Sequence, residues 1–132
     1  MICYVDTSAI LAYLDKGDAY HNQAVTLWRK SLDEGARALC SNYVALESSA
    51  LIQRRLGMQI YKTFESHFRP LLQFHWVDAD LHDRGVALFL ASSRRNLSLT
   101  DCVSFECMRH LNIHYAFAFD KHFEEQGSTL YS

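Results

Sequence analysis

The chain has 132 residues, of which 49% are hydrophobic and 21% charged, which fits one domain over residues 1–132 with a buried core of ordinary globular composition. Its net charge is −2. That argues against holding nucleic acid by charge alone, because such a protein is usually basic, so a nucleic-acid role needs local basic patches or a bound cation.

Ile2 to Val5 is a short apolar run that reads as a buried strand, and it ends in Asp6, Thr7 and Ser8. Ser8 to Leu14 reads as a short helix. Asp18 is placed to cap the next helix, which runs to about Asp33 with Ala24, Leu27, Trp28 and Leu32 on one face, and Gly35 follows its end. Ala38 to Ser41 reads as a second strand. Ser41 or Asn42 then caps a helix carrying Val44, Leu51, Ile52 and Glu47, which Gly57 closes. A further helix fills Gln59 to Phe68, and Pro70 helps end it. Gln73 to Val77 is a third strand. Asp78 or Asp80 starts a helix through Val86, Leu88, Phe89 and Leu90. Ser98 or Thr100 caps another, with Val103, Phe105, Met108 and Leu111 inward. Tyr115 to Phe119 is a fourth strand that ends in Asp120, and Thr129 to Tyr131 adds a short edge strand. Trp28 and Trp76 are expected in the core. Strands alternating with helices throughout predict an α/β sandwich with a mainly parallel sheet.

No run of the chain approaches the ~20 apolar residues of a membrane span. No basic segment precedes the first apolar run, so a secretory signal is not expected. Cys3, Cys40, Cys102 and Cys107 form no CxxC pair and sit in apolar surroundings. They read as free buried thiols, as in a reducing cytoplasm. The histidines lack HxxxH or HExxH spacing, which gives a zinc site little support. The Arg54-Arg55 and Arg94-Arg95 pairs are candidate basic patches, although each taken alone reads more readily as a solvated helix end.

In a parallel sheet the C-terminal ends of all strands lie on one edge. Asp6 and Asp120 sit at such ends. The helix carrying Glu47 starts from that edge, and the helix beginning near Thr100 should start there too, with Asp101 in its first turn. Four carboxylates from distant parts of the chain are thus aimed at one rim. Clustered carboxylates repel one another, and a divalent cation removes the penalty. Hard oxygen donors select magnesium or manganese over zinc, and such an ion supports phosphodiester hydrolysis. Each acid taken alone has a structural alternative. Asp6 and Asp120 could cap the turns that follow them, Glu47 could be a solvated helix residue, and Asp101 could answer the helix dipole.

The stretches VDTSAI, SNYVALES, SLTDCVSFECMRHLNI and FAFDKHF, in that order and at these distances, resemble the successive motifs of PIN-domain ribonucleases, and most of all the VapC-type toxins of type II toxin–antitoxin pairs. The resemblance runs from Ile2 to the C-terminus. It implies a three-layer α/β/α sandwich with a mainly parallel four- to five-stranded sheet, and a magnesium- or manganese-dependent endoribonuclease. It places metal-binding and catalytic acids at Asp6, Glu47, Asp101 and, more variably, Asp120, with an accompanying hydroxyl at Thr7. Many relatives carry Thr or Ser two residues before the last acid, where this chain has Ala118. The resemblance also implies an RNA substrate, a homodimer, and a cognate antitoxin whose basic side chain enters the acidic site, while the free thiols and the lack of a membrane-length apolar run lead to the expectation of a cytoplasmic location with no membrane association. Three rivals differ in class. One is a PIN-like RNA- or protein-binding module without turnover. Another is a histidine-based ribonuclease using His122 with His114 or His110 as acid and base. The third, a phosphatase of the DxD type or a phosphoacceptor domain, lacks the early acidic pair it needs.

Overall fold

The structure is a computed structural model describing residues 1–132. The elements run β1 (Ile2–Val5), α1 (Thr7–Leu14), α2 (His21–Asp33), β2 (Arg37–Ser41), α3 (Asn42–Arg55), α4 (Met58–Thr63), β3 (Leu72–His75), α5 (Ala79–Ser92), α6 (Leu99–Leu111), β4 (Tyr115–Phe117), α7 (His122–Glu125) and β5 (Thr129–Leu130). The strands form one five-stranded sheet in the order β3-β2-β1-β4-β5. Every neighbouring pair is parallel, so the sheet is wholly parallel.

Central strand β1 explains the apolar start of the chain. Helices cover both of its faces, so Cys3, Tyr4 and Val5 are all buried and the strand shows no polar alternation. On one face Trp28 of α2 stacks on Phe117 of β4, with ring centroids 6.2 Å apart. On the other, the Tyr4 hydroxyl donates to Ser104 Oγ of α6 at 2.8 Å. Phe123 of α7 meets Phe105 of α6 edge-on at 4.9 Å. These contacts make the three-layer α/β/α sandwich that the sequence predicts.

All four cysteines are free and buried. Burial pushes the thiols of Cys3 and Cys40 up to about 12 and that of Cys107 to about 11, so these three remain protonated and unreactive.

Several expectations need correction. Helix α2 starts at His21, not at Asp18. The Asp18 carboxylate accepts the Tyr20 N–H at 2.8 Å and closes a turn one step before the helix. Leu32 is 46% exposed, and Ser31 takes the buried place on that face. The single predicted helix over Gln59 to Phe68 is α4 followed by a π turn over Phe64–Phe68. Strand β3 ends at His75, which leaves Trp76 outside the core and 70% exposed. Helix α5 buries Leu81 and Gly85 and turns Phe89 and Leu90 outward. Its packing stripe runs through a glycine, which carries no hydrophobic signal. Strand β4 stops at Phe117, two residues earlier than predicted, because the Phe119 N–H leaves the ladder to donate to Ser8 Oγ at 3.0 Å. Among the alternative caps, Ser41, Asp78 and Ser98 are the ones used.

Strand order places the site. From β1 the chain passes to β2 on one side, while β4 lies on the other. Adjacent strands whose connections diverge leave a crevice at their C-terminal ends. Asp6 ends β1 at that crevice, and its N–H donates to Phe117 O of β4 at 3.0 Å.

Candidate active site

A cleft of about 420 Å³ opens at this switch point, and its walls include Asp6, Thr7, Ser8, Glu47, Asp101 and Asp120. The sequence aims these acids at one rim, and all four line one cleft.

Asp6 is the N-cap of α1. Its Oδ2 accepts the Ser8 N–H at 3.1 Å and the Ser8 hydroxyl at 2.6 Å. Its Oδ1 is buried without a partner. Burial pushes this carboxyl up to about 7, and the charges of Asp101 and Asp120 add to the effect. The bonds from Ser8 oppose it.

Asp101 sits in the first turn of α6, closing a capping box. Its N–H donates to Ser98 Oγ at 3.0 Å, and its Oδ2 accepts the Ser98 N–H at 3.1 Å. Burial raises the Asp101 carboxyl above its ordinary range. Ser98 opposes this, while Asp120 and Glu47 add to it. Asp101 is thus a first-turn acid, as its structural alternative required, and one of its two oxygens is also held in a capping box.

Glu47 projects from α3, half-buried. Asp120 follows β4, and its Oδ1 accepts the His122 N–H at 2.9 Å. The His122 ring brings Nδ1 to 2.9 Å from the same oxygen. The two groups form an ion pair when the ring is protonated.

Donor atoms of Asp101, Asp120 and His122 all lie within 4.8 Å of one another. Asp101 and Asp120 of that trio share the cleft walls with Asp6 and Glu47, and together these residues can hold a metal ion. The fit rests on two observations. The donors are mostly carboxylate oxygens, as a hard divalent ion requires. Asp6 Oδ1 is a buried side-chain oxygen without a partner, and it belongs to this site. Buried polar atoms are nearly always paired, so such an orphan marks a place for a missing partner.

Thr7 is buried, and its Oγ1 accepts the Ser48 hydroxyl at 3.3 Å. That bond joins the start of α1 to α3 and leaves the Thr7 hydroxyl its own hydrogen to donate. Sequence reasoning missed the neighbouring hydroxyl. Ser8 ties Asp6 to the Phe119 backbone, taking a bridging place where Ala118 offers no hydroxyl. The signal was present as an Asp with Ser two residues on, a pattern that favours this local turn. His122 was read only as part of a histidine pair. His114 lies at the opposite end of β4, and His110 packs against His75 with ring centroids 5.8 Å apart, so neither partner reaches it.

A parallel sheet wound both ways from a central strand, with acids gathered at its switch point, defines the class of this domain, and residues 3–128 match the PIN domain family. The chain belongs to that family. It is 30% identical over 125 residues to the 23S rRNA-specific endonuclease VapC20 of Mycobacterium tuberculosis, covering 94% of this chain and 93% of the relative. The crystal structure of the same relative, described as a sarcin–ricin loop cleaving toxin, superposes with a TM-score of 0.86 at 29% identity, covering 98% of this chain and 97% of that one. FitAcB from Neisseria gonorrhoeae superposes with a TM-score of 0.71 at 14% identity, over 100% and 97% of the two chains, a likeness of fold alone. The family and the sandwich expected from the motifs are both borne out.

Proposed function

We propose that this protein is a metal-dependent endoribonuclease, a single PIN domain over residues 1–132 acting as the toxin of a toxin–antitoxin pair. The observation that carries the reading is the cleft itself. Carboxylates from four separate parts of the chain line it, and one of them, Asp6, keeps a buried oxygen without a partner. Membership of the PIN family and likeness to VapC20, an endonuclease by name, support it.

In this reading Asp6, Glu47, Asp101 and Asp120 hold Mg2+ or Mn2+, with His122 Nδ1 beside them. When bound, such an ion neutralises a phosphate oxygen, makes a water a better nucleophile and stabilises the leaving oxygen. The chain's own residues do the rest. Ser8 fixes the rotamer of Asp6 through Oδ2 and leaves Oδ1 unpartnered. Ser98 fixes Asp101 in the same way. Thr7 can donate its remaining hydrogen to a water or phosphate oxygen in the cleft. Glu47 forms no hydrogen bond or ion pair with the chain, so its carboxylate is free to bind the cation or orient a water. The substrate is RNA, and the likeness to VapC20 makes 23S rRNA the first one to test.

A cognate antitoxin would silence the site by sending a Lys or Arg into the acids. A homodimer would cover part of the exposed apolar surface, where Leu46, Trp76 and Leu90 are 70 to 72% exposed. No helix is long and apolar enough to cross a membrane, and buried free thiols suit the cytoplasm.

The test is cleavage of purified 23S rRNA by purified protein, with manganese and with chelator. Cleavage should need the metal. Asp101→Asn and Glu47→Gln should lower it at least about a hundredfold, as loss of a direct ligand should exceed loss of its supporting partner. Asp120→Asn should be milder. Near-normal cleavage by Asp101→Asn at saturating manganese would overturn the assignment. An intact, metal-binding protein that cuts no RNA would favour the binding module instead.

A further inference from the structure

A cleft that cuts a phosphodiester must also hold the nucleotides on either side of the cut, and carboxylates cannot do that. The same walls carry two aromatic rings, Tyr20 and Phe119. Their centroids are 4.8 Å apart and their planes differ by 9°, a face-to-face stack. Phe119 is the inner ring. Its N–H is bound to Ser8 Oγ at 3.0 Å, and its ring lies edge-on to core residue Phe117 at 6.0 Å. The hydroxyl that fixes Asp6 therefore fixes this ring too. Tyr20 is the outer ring and is 49% exposed. The Asp18 carboxylate holds the Tyr20 N–H at 2.8 Å, which locks the turn that presents it. Its hydroxyl forms no hydrogen bond with the chain. Arg55, at the end of α3, lines the same cleft and makes no ion pair.

We propose that Tyr20, stacked on Phe119, is a platform on which an RNA base next to the scissile phosphate stacks, with Arg55 holding a neighbouring phosphate. An aromatic ring held from beneath and half exposed, with acids within the same cleft, is the arrangement that grips an unpaired base. Every base has a π face, so such a contact tolerates sequence, and RNA-binding proteins read splayed-out bases in this way. A guanidinium free of protein partners supplies the phosphate contact that a chain of net charge −2 otherwise lacks. The proposal rests on the endoribonuclease reading and adds to it a nucleotide-binding surface.

The test measures binding in an Asp101→Asn background, where RNA is not consumed. The probes are a short random-sequence single-stranded RNA and a ribose-phosphate strand of equal length without bases. The base-bearing strand should bind about tenfold more tightly. Tyr20→Ala should erase that preference while leaving affinity for the base-free strand unchanged, and Tyr20→Phe should keep it. Arg55→Gln should weaken both probes alike and flatten the salt dependence by about one charge. Melting temperatures equal to the parent's show that each variant is folded. A preference that survives Tyr20→Ala, or an RNA bound with no preference, overturns the platform. Equal binding by Arg55→Gln overturns the phosphate contact. Failure of the wild type to cleave any RNA with manganese overturns the endoribonuclease reading, and cleavage with an unaltered binding preference overturns only the platform.

Discussion

Asp6 has one oxygen held by Ser8 and the other buried without a partner, and burial lifts its pKa from 3.8 to about 7. The sign of the consequence follows from linkage. Between about pH 4 and pH 7 the unfolded chain has released a proton that the folded chain still holds. Stability therefore falls as pH rises through that window and levels off above it. The raised Asp101 carboxyl acts in the same direction. In chelator, wild-type stability measured by urea unfolding should fall across that window, and Asp6→Asn should flatten much of the slope and melt higher than wild type at pH 8. An unchanged slope would mean that the Asp6 carboxyl is solvated after all. Ser8→Ala should cost about 1–3 kcal/mol in the same assay, because it strands the Phe119 N–H and removes a bond to Asp6. The acids were legible in sequence because each follows a strand or opens a helix at one edge. Ser8 and His122 were not, because their contacts depend on where β4 leaves the sheet, which no local pattern encodes.

The helices that carry the acids are positioned by close approaches that the hydrophobic pattern conceals. Gly85 of α5 lies against α6, where an added Cβ would collide with Val103 Cγ2 and stand 3.1 Å from Val103 Cα. Alanine in a helix interior is normally favoured over glycine by roughly 0.5–1 kcal/mol. Here the clash should reverse that preference, so Gly85→Ala should destabilise by about 1–3 kcal/mol. Since α6 carries Asp101, cleavage should fall as well, and Gly85→Ala as stable as wild type would show that α5 shifts freely. The sequence pattern placed α5, with Asp78 or Asp80 at its start, but not its face, because a glycine marks the centre of the contact. It misplaced the start of α2 for a related reason. Asp18 is a good cap by type, yet its carboxylate is spent on the turn that presents Tyr20. Strand β1 was legible because burial on both faces leaves a continuous apolar run, while the start of α6 was narrowed to Ser98 or Thr100 and the Ser-x-x-Asp box decides for Ser98.

At the scale of the whole molecule, the cleft joins chain segments that have little else in common. Asp6 comes from the junction of β1 and α1, Glu47 from α3, Asp101 from α6, and Asp120 from the turn after β4. Topology alone brings them together, and topology was legible because four alternating strand and helix units allow few parallel arrangements. A site assembled in this way exists only in the folded state, so an ion that binds it must stabilise the entire fold. The increment is RT ln(1 + [L]/Kd), about 2.7 kcal/mol at a hundredfold excess over Kd. Manganese should therefore raise the wild-type melting temperature at pH 8, where Asp6 is largely ionised. Asp6→Asn should start higher in chelator, because a buried charge is gone, and should gain much less from manganese, because a charged ligand is gone. The two melting curves should draw together as manganese is added. If the ion shifts both proteins equally, Asp6 does not hold it. If Asp6→Asn instead melts well below wild type in chelator, the carboxylate serves chiefly as the cap of α1, and its buried oxygen does not await a cation.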